Sequence, residues 1–224
     1  MPRSILSALC FVLVPGLLFL GLYNFRTVDM AQLLQVNADV LFVDFGSTIT
    51  VRHASTGSYL HSHDLFYPAG SKQQQVALAP QRSEATEWRI YNSTIREMVD
   101  EDALPVPNQP VVAGSTVMLR HIPTGKHLHS HYDHSAPVSR GRYLKEVTAY
   151  GIPGYAGDGN DDWVVELTGG EILTAASPFR LRHKDTGYYL SSRGAFLPQW
   201  GLGLQEVFCS QHARDDALWI IDAS

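Results

Sequence analysis

The stretch GSTITVRHASTGSYLHSH, residues 46–63, decides the fold because it returns twice along the chain. Its second copy is GSTVMLRHIPTGKHLHSH at residues 114–131, and a weaker third copy, FRLRHKDTGYYLSSR, occupies residues 179–193. The histidine after the arginine recurs at intervals of 68 residues (121 − 53) and 62 residues (183 − 121). A unit that repeats three times at such a period predicts a fold with three-fold pseudo-symmetry.

Each copy has the pattern of a β-hairpin. The residues before the turn, such as Thr48–His53, alternate in polarity and are rich in β-branched side chains, which favours a strand. A Thr-Gly pair follows in every copy, and glycine supplies the positive φ that a tight turn needs. The pattern predicts an all-β fold, a β-trefoil with about twelve strands in all. Its repeats span about residues 45–92, 113–167 and 176–222.

A second half follows each hairpin at a matching distance. It consists of a Gln-Val or Glu-Val pair and then a tryptophan, and three of the four tryptophans occupy this position: Trp88, Trp163 and Trp219. Large aromatic rings dominate buried area in protein interiors. We therefore expect these three rings to lie in a shared core rather than in a binding site.

Composition is that of an ordinary globular domain. The chain has 224 residues, 45% of them hydrophobic and 17% charged, which is enough for one substantial core. The formal net charge is −5, and the sequence has no stripe of basic residues that could bind a phosphate backbone. No nucleic acid is therefore expected as a partner. Acidic residues cluster at 100–102 and 158–162, and we interpret both clusters as solvated loops rather than metal cages.

The N-terminal residues form a segment of their own. Ile5–Tyr23 carries no charge over about nineteen positions, which approaches the length that a helix needs to cross a bilayer. A cleaved signal peptide is the alternative, but the residues after this run make a poor cleavage site. The sequence thus predicts a transmembrane helix in residues 1–26, a lumenal linker in 27–44 and the trefoil in 45–222.

A glycosylation signal favours a lumenal position for the trefoil. Asn92-Ser93-Thr94 matches the acceptor triplet for N-glycosylation. Behind a membrane or signal segment, such a triplet favours a lumenal or extracellular domain. We therefore predict that Asn92 is an N-glycosylation site.

Two His-x-His pairs are the sharpest candidates for chemistry. In a strand, His61 and His63 project to one face, as do His129 and His131. Two imidazoles can contribute to a zinc site if a third ligand is available, but the third repeat has Ser191-Ser192-Arg193 instead. We predict no metal and keep the four histidines as candidate ligand-binding residues. One histidine of each pair could alternatively support the turn by hydrogen bonding to the loop backbone.

An arginine precedes the repeated histidine in all three copies, at Arg52, Arg120 and Arg182. These arginines either bind a ligand or preserve packing that all repeats share, and identity across repeats favours packing. No nucleophile elbow, P-loop or dinucleotide fingerprint occurs, so no catalytic residue and no cofactor is predicted. Binding specificity is expected where the copies differ: in His-Ser-His against Ser191-Ser192-Arg193, and in the Gly- and Asp-rich loop of residues 150–162.

The repeated signature Gly-Ser-x-(Ile/Val)-x-(Leu/Val)-Arg-His-x-x-Thr-Gly-x-x-Leu-His-Ser-His resembles the MIR motif. This β-trefoil module is shared by protein O-mannosyltransferases, inositol trisphosphate receptors and ryanodine receptors. The resemblance covers about Phe45–Asp222. It is greatest toward the mannosyltransferases in three stretches: FYPAGS at 66–71, GIPGYAGDGNDDW at 151–163 and PQWG at 198–201.

The resemblance implies the lumenal MIR region of a dolichyl-phosphate-mannose–protein mannosyltransferase in the endoplasmic reticulum membrane. Such a region would bind acceptor polypeptide or glycan while mannose passes from dolichyl phosphate mannose to Ser or Thr. Other mannosyltransferase subunits are the implied partners. The family's acidic catalytic residues lie in an earlier lumenal loop with no counterpart here. We therefore expect a fragment or truncated relative that is not active alone and does not bind the donor.

A second reading is a stand-alone lumenal MIR protein of the stromal-cell-derived-factor-2-like type that acts as a chaperone adaptor. It predicts cleavage of the residues before about Asp29.

A lectin-like glycan binder is a third reading, since trefoils often offer up to three equivalent sites. The third copy lacks His-x-His, so at most two such sites would be equivalent.

Overall fold

The structure is a computed structural model, and it describes residues 41–94, 109–139, 143–152, 155–175 and 177–222. The predicted transmembrane helix and most of the predicted linker lie outside these ranges. Within these ranges, no helix has the length and apolar character needed to span a membrane.

The described part of the chain is all-β and contains thirteen strands. The first repeat contains β1 (Thr48–His53), β2 (Tyr59–Phe66), β3 (Gln74–Ala79) and β4 (Glu87–Asn92). The second contains β5 (Thr116–His121), β6 (His127–Ser135), β7 (Lys145–Tyr150) and β8 (Trp163–Leu167). The third contains β9 (Phe179–His183), β10 (Tyr189–Ser191), β11 (Gln205–Glu206), β12 (Phe208–Ser210) and β13 (Trp219–Asp222).

The structure has thirteen strands rather than the predicted twelve or so, because one segment of the third repeat is divided into two short strands with different partners. β11 pairs with β3 through Gln205 and Glu206, whereas β12 pairs with β7 and β10. The two short strands meet at Val207, which is fully buried. They occupy the place of one strand in the other repeats.

Strand pairing closes a ring and joins three hairpins. Two strands from each repeat follow one another in the order β1, β4, β5, β8, β9 and β13, and β13 pairs back with β1. The hairpins β2/β3, β6/β7 and β10/β12 contact one another through β3–β7, β12–β7 and β11–β3. All pairs are antiparallel. This topology is consistent with the predicted β-trefoil.

Residues assigned to the linker also belong to the barrel. Val43 is buried, its N–H donates to the Leu173 carbonyl at 3.0 Å, and its own carbonyl accepts from Val111 at 2.8 Å. Leu173 in turn donates to the Val111 carbonyl at 2.8 Å, which completes a triangle with one residue from the start of each repeat. The barrel therefore begins before Phe45, the first residue of the predicted trefoil.

The three repeated tryptophans form the centre of the core, as predicted, and all three are fully buried. Each indole N–H donates to the carbonyl of a leucine in the returning strand of its own repeat: Trp88 to Leu60 at 3.0 Å, Trp163 to Leu128 at 2.9 Å and Trp219 to Leu190 at 2.9 Å. A buried indole N–H needs such a partner, because leaving it unpaired would cost about 1–3 kcal/mol. The bonds fix each ring against its hairpin.

The repeated histidines join neighbouring repeats, and we call each of these connections a seam. The Nε2 atom of each histidine lies 3.0 Å from a carbonyl of the preceding repeat around the ring: His53 to Asp216, His121 to Ala85 and His183 to Asn160. The Nδ1 atom lies 2.8–3.0 Å from the hydroxyl of the threonine in its own hairpin turn: Thr56, Thr124 or Thr186. Each imidazole also packs on the tryptophan of the preceding repeat, with ring centroids 4.8–5.0 Å apart.

The seams fix the protonation state of these histidines. A carbonyl can only accept, so Nε2 carries the proton and Nδ1 accepts from the threonine hydroxyl. The imidazole is therefore neutral. Burial lowers the pKa of His53 and His183, and it lowers the pKa of His121 to about 4, because charging the ring would require desolvating a cation.

Candidate functional site

An open cleft of about 710 Å³ lies on the second repeat. Its wall is built by strands β6 and β7 and by the 3-10 turn Gly159–Asp161. The first and third repeats each reach its edge, through Gln73 and through Asp185-Thr186 respectively. Two of the predicted ligand-binding residues, His129 and His131, line this cleft, and so does the Gly- and Asp-rich loop through Asp158 and Asn160.

A buried histidine–aspartate pair, His129 and Asp161, lies against the cleft. His129 Nδ1 lies 2.8 Å from Asp161 Oδ1, and the side chains are 4% and 0% exposed. The other Asp161 oxygen accepts from the Asp158 backbone N–H at 2.8 Å. In the sequence, Asp161 belonged to a cluster that we interpreted as solvated. That interpretation is wrong for Asp161 and Asp162, which are both buried; Asp161 closes the turn and accepts from His129.

The spacing of His129 and its acidic neighbours would suit a cation, but their hydrogen bonds already occupy Asp161. Atoms of His129, Asp158 and Asp161 lie within 4.8 Å of one another, a spacing that a cation could bridge. Both Asp161 oxygens, however, already accept hydrogen bonds. The cluster is satisfied by its own hydrogen bonds, and the absence of a metal stays a prediction.

The surroundings of His131 differ from those of His129. Its Nε2 atom is buried and has no hydrogen-bond partner among the described residues, while the side chain is 18% exposed. Its ring packs edge-on against His134, with centroids 4.7 Å apart. Burial, with the adjacent His129 and His134, lowers the pKa of His131, so the ring is neutral at physiological pH.

Two tyrosine rings and exposed carboxylates complete the lining. Tyr132 is 59% exposed and Tyr150 is 36% exposed, and Tyr150 packs against His129 with centroids 5.2 Å apart. Asp133 is 85% exposed, and Asp185 reaches the cleft from the turn of the third repeat. The sequence analysis included Tyr150 only as the first residue of the loop 150–162 and did not select Tyr132, Asp133 or Asp185, since exposed tyrosines and aspartates carry no spacing signal.

The histidine pair of the first repeat has different surroundings. His61 and His63 lie edge to face, with centroids 4.9 Å apart, and His63 Nε2 donates to Gln75 Oε1 at 3.2 Å. His61 Nδ1 is buried and lacks a hydrogen-bond partner within the described ranges. Burial, with His63 and His121 nearby, lowers the pKa of His61 to about 4. The two pairs therefore share a strand position but belong to separate sites.

The serine between the histidines faces the interior, as strand alternation predicts. The serine at this position donates its hydroxyl to a carbonyl of the neighbouring strand in every repeat, including the third, which has no histidine pair: Ser62 to Gln75 at 2.8 Å, Ser130 to Glu146 at 2.9 Å and Ser192 to Glu206 at 2.7 Å. The sequence analysis offered turn support as an alternative role for one histidine of each pair. Among the described residues, the hydrogen bonds of His63 and His129 run to side chains, those of Gln75 and Asp161, while the turn threonines are held by the seam histidines. The turn-support role stays a prediction.

The three repeated arginines do not converge on one site. Arg52 Nε lies 2.9 Å from Asp222 Oδ1, and Arg182 Nε lies 2.6 Å from Glu166 Oε1, so each joins two repeats across the ring. Arg120 Nε donates to the Gly125 carbonyl at 3.2 Å in its own turn. Their placement on separate strands of the barrel fits the packing role. A ligand-binding role for them stays a prediction.

The predicted glycosylation site lies where β4 ends. The Thr94 hydroxyl donates to Asn92 Oδ1 at 2.7 Å, and the Thr94 N–H donates to the same oxygen at 3.0 Å. Thr94 is exposed and Asn92 is half-buried. The triplet is therefore accessible on one side, and its glycosylation stays a prediction.

Comparison with known proteins places this geometry in a family. The MIR domain family matches residues 60–221. Dolichyl-phosphate-mannose–protein mannosyltransferase 1 of Candida albicans is 45% identical over 195 residues, which cover 81% of this chain and 21% of that protein. Protein O-mannosyl-transferase 2 of Danio rerio is 35% identical over 190 residues, covering 80% of this chain and 24% of that protein. The chain thus spans less than a third of these relatives.

Two solved structures resemble the described fold. One is the S. cerevisiae protein O-mannosyltransferase Pmt1-Pmt2 complex bound to the sugar donor, with a TM-score of 0.71, 41% identity, and coverage of 82% of this chain and 25% of that chain. The other is the SDF2-like protein from Arabidopsis thaliana, with a TM-score of 0.70, 30% identity, and coverage of 81% and 94%. The chain therefore belongs to the MIR domain family, and its MIR segment matches that of the protein O-mannosyltransferases.

Proposed function

We propose that this chain is the lumenal MIR trefoil of a protein O-mannosyltransferase. In this role it binds acceptor polypeptide or glycan while mannose passes from dolichyl phosphate mannose to Ser or Thr. The trefoil lies on the lumenal side of the endoplasmic reticulum membrane, and residues 5–23 tether it there. Other mannosyltransferase subunits are its partners.

The observation that carries this proposal is the match to mannosyltransferases across the whole trefoil. The 45% identity to the Candida albicans enzyme extends over 195 residues, so it includes the loops as well as the strands. The resemblance to one part of a two-enzyme complex supports association with a further subunit. The open cleft supports a binding role, because concave sites with a few convergent polar groups are where ligands bind.

Catalysis by this chain alone is not part of the proposal. The buried carboxylate beside the cleft, that of Asp161, already accepts hydrogen bonds through both oxygens. General acid–base chemistry needs a group that can reach the proton it transfers. Asp161 is held by His129 and by the backbone of its own turn, so it serves the structure of the cleft.

Deletion of the trefoil from a full-length enzyme tests the proposal. The segment equivalent to residues 41–222 is removed, and O-mannosylation of a panel of acceptors is measured in cells lacking the endogenous enzyme. We expect mannosylation of at least some acceptors to fall. As a matched control, the segment is replaced with the Arabidopsis SDF2-like trefoil, which keeps the fold at 30% identity. Unchanged mannosylation of every acceptor after the deletion would overturn the proposal.

A stand-alone adaptor is the second candidate function, and one observation favours it. The SDF2-like protein is matched over 94% of its chain, so a protein of this size can consist of the trefoil alone. This candidate requires removal of the N-terminal residues and a soluble product. N-terminal sequencing of the mature chain separates the two: an intact Ile5–Tyr23 segment supports the tethered trefoil, and a start near Asp29 supports the adaptor.

A further inference from the structure

A lysine occupies the position where the other two repeats have a glutamine. Lys145 lies two residues before Val147, and Gln74 and Gln205 lie at the same distance before the equivalent valines. Lys145 is 8% exposed, although a lysine is almost never buried this deeply unless its charge is paired. The second repeat therefore has a buried positive charge that the other two repeats do without.

The glutamine of the first repeat has a structural task that Lys145 does not perform. Gln74 Nε2 donates to the Ser62 hydroxyl at 2.8 Å and to the Thr124 hydroxyl at 2.9 Å, so it joins the first repeat to the turn of the second. The side chain of Lys145 forms no hydrogen bond and no ion pair with any described residue. Joining neighbouring repeats therefore does not explain the lysine.

The ammonium group of Lys145 lies against the face of an aromatic ring. Its Nζ atom is 4.0 Å from the ring centroid of Tyr132, which is a cation–π distance. The ring attracts the charge, but it does not replace the oxygen acceptors that the three N–H groups of an ammonium can use. Such a contact recovers only part of the free energy that desolvating a charge costs. The ammonium group therefore has donor capacity left for a ligand.

Three phenol groups are close to one another beside this lysine. Tyr188 packs edge-on against Tyr132, with ring centroids 6.4 Å apart, and the two side chains are hydrogen-bonded. Burial raises the pKa of the Tyr188 phenol, and so do the neighbouring Tyr132 and Tyr143. Tyr132 is 59% exposed and Tyr143 is 47% exposed, so a ligand can reach both rings. The Tyr188 phenol is neutral and keeps its hydroxyl proton.

The groups gathered here are donors, which selects an anion. Lys145 contributes a charged donor, and a carboxylate that accepts from it gains a bond about twice as strong as one between neutral groups. A dianion such as phosphate would need a second cation. The residue next to Tyr132 is instead Asp133, a carboxylate that is 85% exposed and repels negative charge. A ligand with one negative charge is therefore favoured.

We propose that Lys145 and the three tyrosines bind a carboxylate side chain of an acceptor polypeptide. The inference rests on the proposed function for the source of the carboxylate, because the proposed trefoil binds acceptors. Acceptors with an Asp or Glu near the target Ser or Thr therefore bind more tightly than neutral ones. One chain binds one such side chain, since the equivalent positions in the other repeats carry the neutral amides of Gln74 and Gln205.

Peptides that differ in one side chain test the inference on the full 224-residue chain. A Ser/Thr peptide with blocked ends and a single Glu is titrated beside its Gln counterpart. Calorimetry and the NMR signal of the Lys145 ε-methylene group report binding. We expect the Gln peptide to bind about tenfold more weakly, the effect of losing one charge-assisted hydrogen bond. A free monoanion, N-acetylglutamate amide, should bind more weakly than the Glu peptide because it lacks the polypeptide's further contacts.

Lys145→Gln is the sharpest variant, because it restores the amide that the other repeats have. It should bind the Glu and Gln peptides equally, and its thermal midpoint should be no lower than that of the wild type, since an unpaired buried charge destabilises a fold. Tyr143→Phe should weaken binding of the Glu peptide about threefold, the effect of losing a neutral donor. The matched control is Lys126→Gln, which removes a lysine whose Nζ lies 4.6 Å from the ring centroid of Phe66. It should leave the tenfold preference intact.

The outcomes separate this inference from the proposed function. Equal binding of the Glu and Gln peptides by the wild-type chain overturns the inference even if deletion of the trefoil impairs mannosylation, and this comparison needs no variant. An undiminished Glu preference in Lys145→Gln also overturns it, and a lowered midpoint with that preference unchanged assigns the lysine a purely structural role.

Two further results decide the chemistry of the ligand. Binding of a phosphoserine peptide without binding of the Glu peptide overturns the inference in favour of phosphate. Binding of N-acetylglutamate amide as tight as that of the Glu peptide overturns the assignment to a polypeptide. A Glu preference that depends on Lys145, together with unimpaired mannosylation after deletion of the trefoil, overturns only the proposed function.

Discussion

Acidification is expected to weaken the seam between the first and second repeats, and His121 allows the effect to be calculated. The ring is fully buried, donates to the Ala85 carbonyl and accepts from the Thr124 hydroxyl. Burial lowers its pKa from 6.5 to about 4. Between these values the unfolded chain binds a proton at His121 that the folded chain does not. The stability from the neutral ring is therefore complete above pH 6.5 and is lost as the pH falls toward 4.

The magnitude follows from proton linkage. A pKa difference of this size corresponds to about 3 kcal/mol once the pH is below both values. Between about pH 7 and pH 5 the same relation gives a loss of about 2 kcal/mol from His121. His53 and His183 lie in equivalent seams with pKa values lowered for the same reason, so they add to the loss. A native domain is stable by only about 5–15 kcal/mol, so the combined effect should be easy to measure.

Urea unfolding of the wild-type chain and of His121→Gln, at about pH 7, 6 and 5, measures this contribution. Glutamine cannot titrate in this range, so the variant should lose about 2 kcal/mol less than the wild type over the interval. His212→Gln, which changes an exposed histidine, is the matched control and should follow the wild type. Equal losses of unfolding free energy in wild type and His121→Gln would refute the reasoning, whatever the stability of the variant at pH 7.

Three further substitutions separate the contributions to stability. Trp163→Phe removes the N–H that donates to Leu128 and leaves a void, so urea unfolding should show a loss of about 2–3 kcal/mol; an unchanged midpoint would contradict the core assignment. Ser130→Ala removes a buried donor and should lower the thermal midpoint by an amount equivalent to about 1 kcal/mol, and an unaltered midpoint would count against it. Arg182→Met breaks the half-exposed pair with Glu166. It should lower the free energy of unfolding by less than about 1 kcal/mol at low salt and by nothing at high salt, and a larger loss that does not depend on salt would contradict this weak surface role.

The parts of the fold that depend on short stretches of sequence were predictable. Strand alternation in Thr48–His53 and the glycine of each turn are local signals, and Gly57, Gly125 and Gly187 all have φ between 68° and 73°. The burial of Trp88, which closes a repeat, follows from its size. The partner exchange at Val207 was not predictable, because it depends on which neighbouring strand each half of the segment meets.

The site was predictable only in outline. The His-x-His spacing and the loop that is unique to the second repeat both pointed to the cleft that the structure forms. The hydrogen bond between His129 and Asp161 could not be predicted from the sequence, since 32 residues separate the partners and nothing in the local sequence connects them. The hydrogen bonds of the seams could not be predicted for a different reason. Their acceptors are backbone carbonyls, such as that of Ala85, and any residue type can supply one.

The seams also imply an order of assembly for a chain that is synthesised from its N-terminus. The partners His183 and Asn160 are 23 residues apart, and His121 and Ala85 are 36 apart, so these two seams can form soon after their residues emerge. The third joins His53 to Asp216 across 163 residues and lies beside the pairing of β1 with β13. Until Asp216 has been synthesised, β1 has an open edge that can pair with other chains. The growing chain therefore needs protection from aggregation for most of its synthesis.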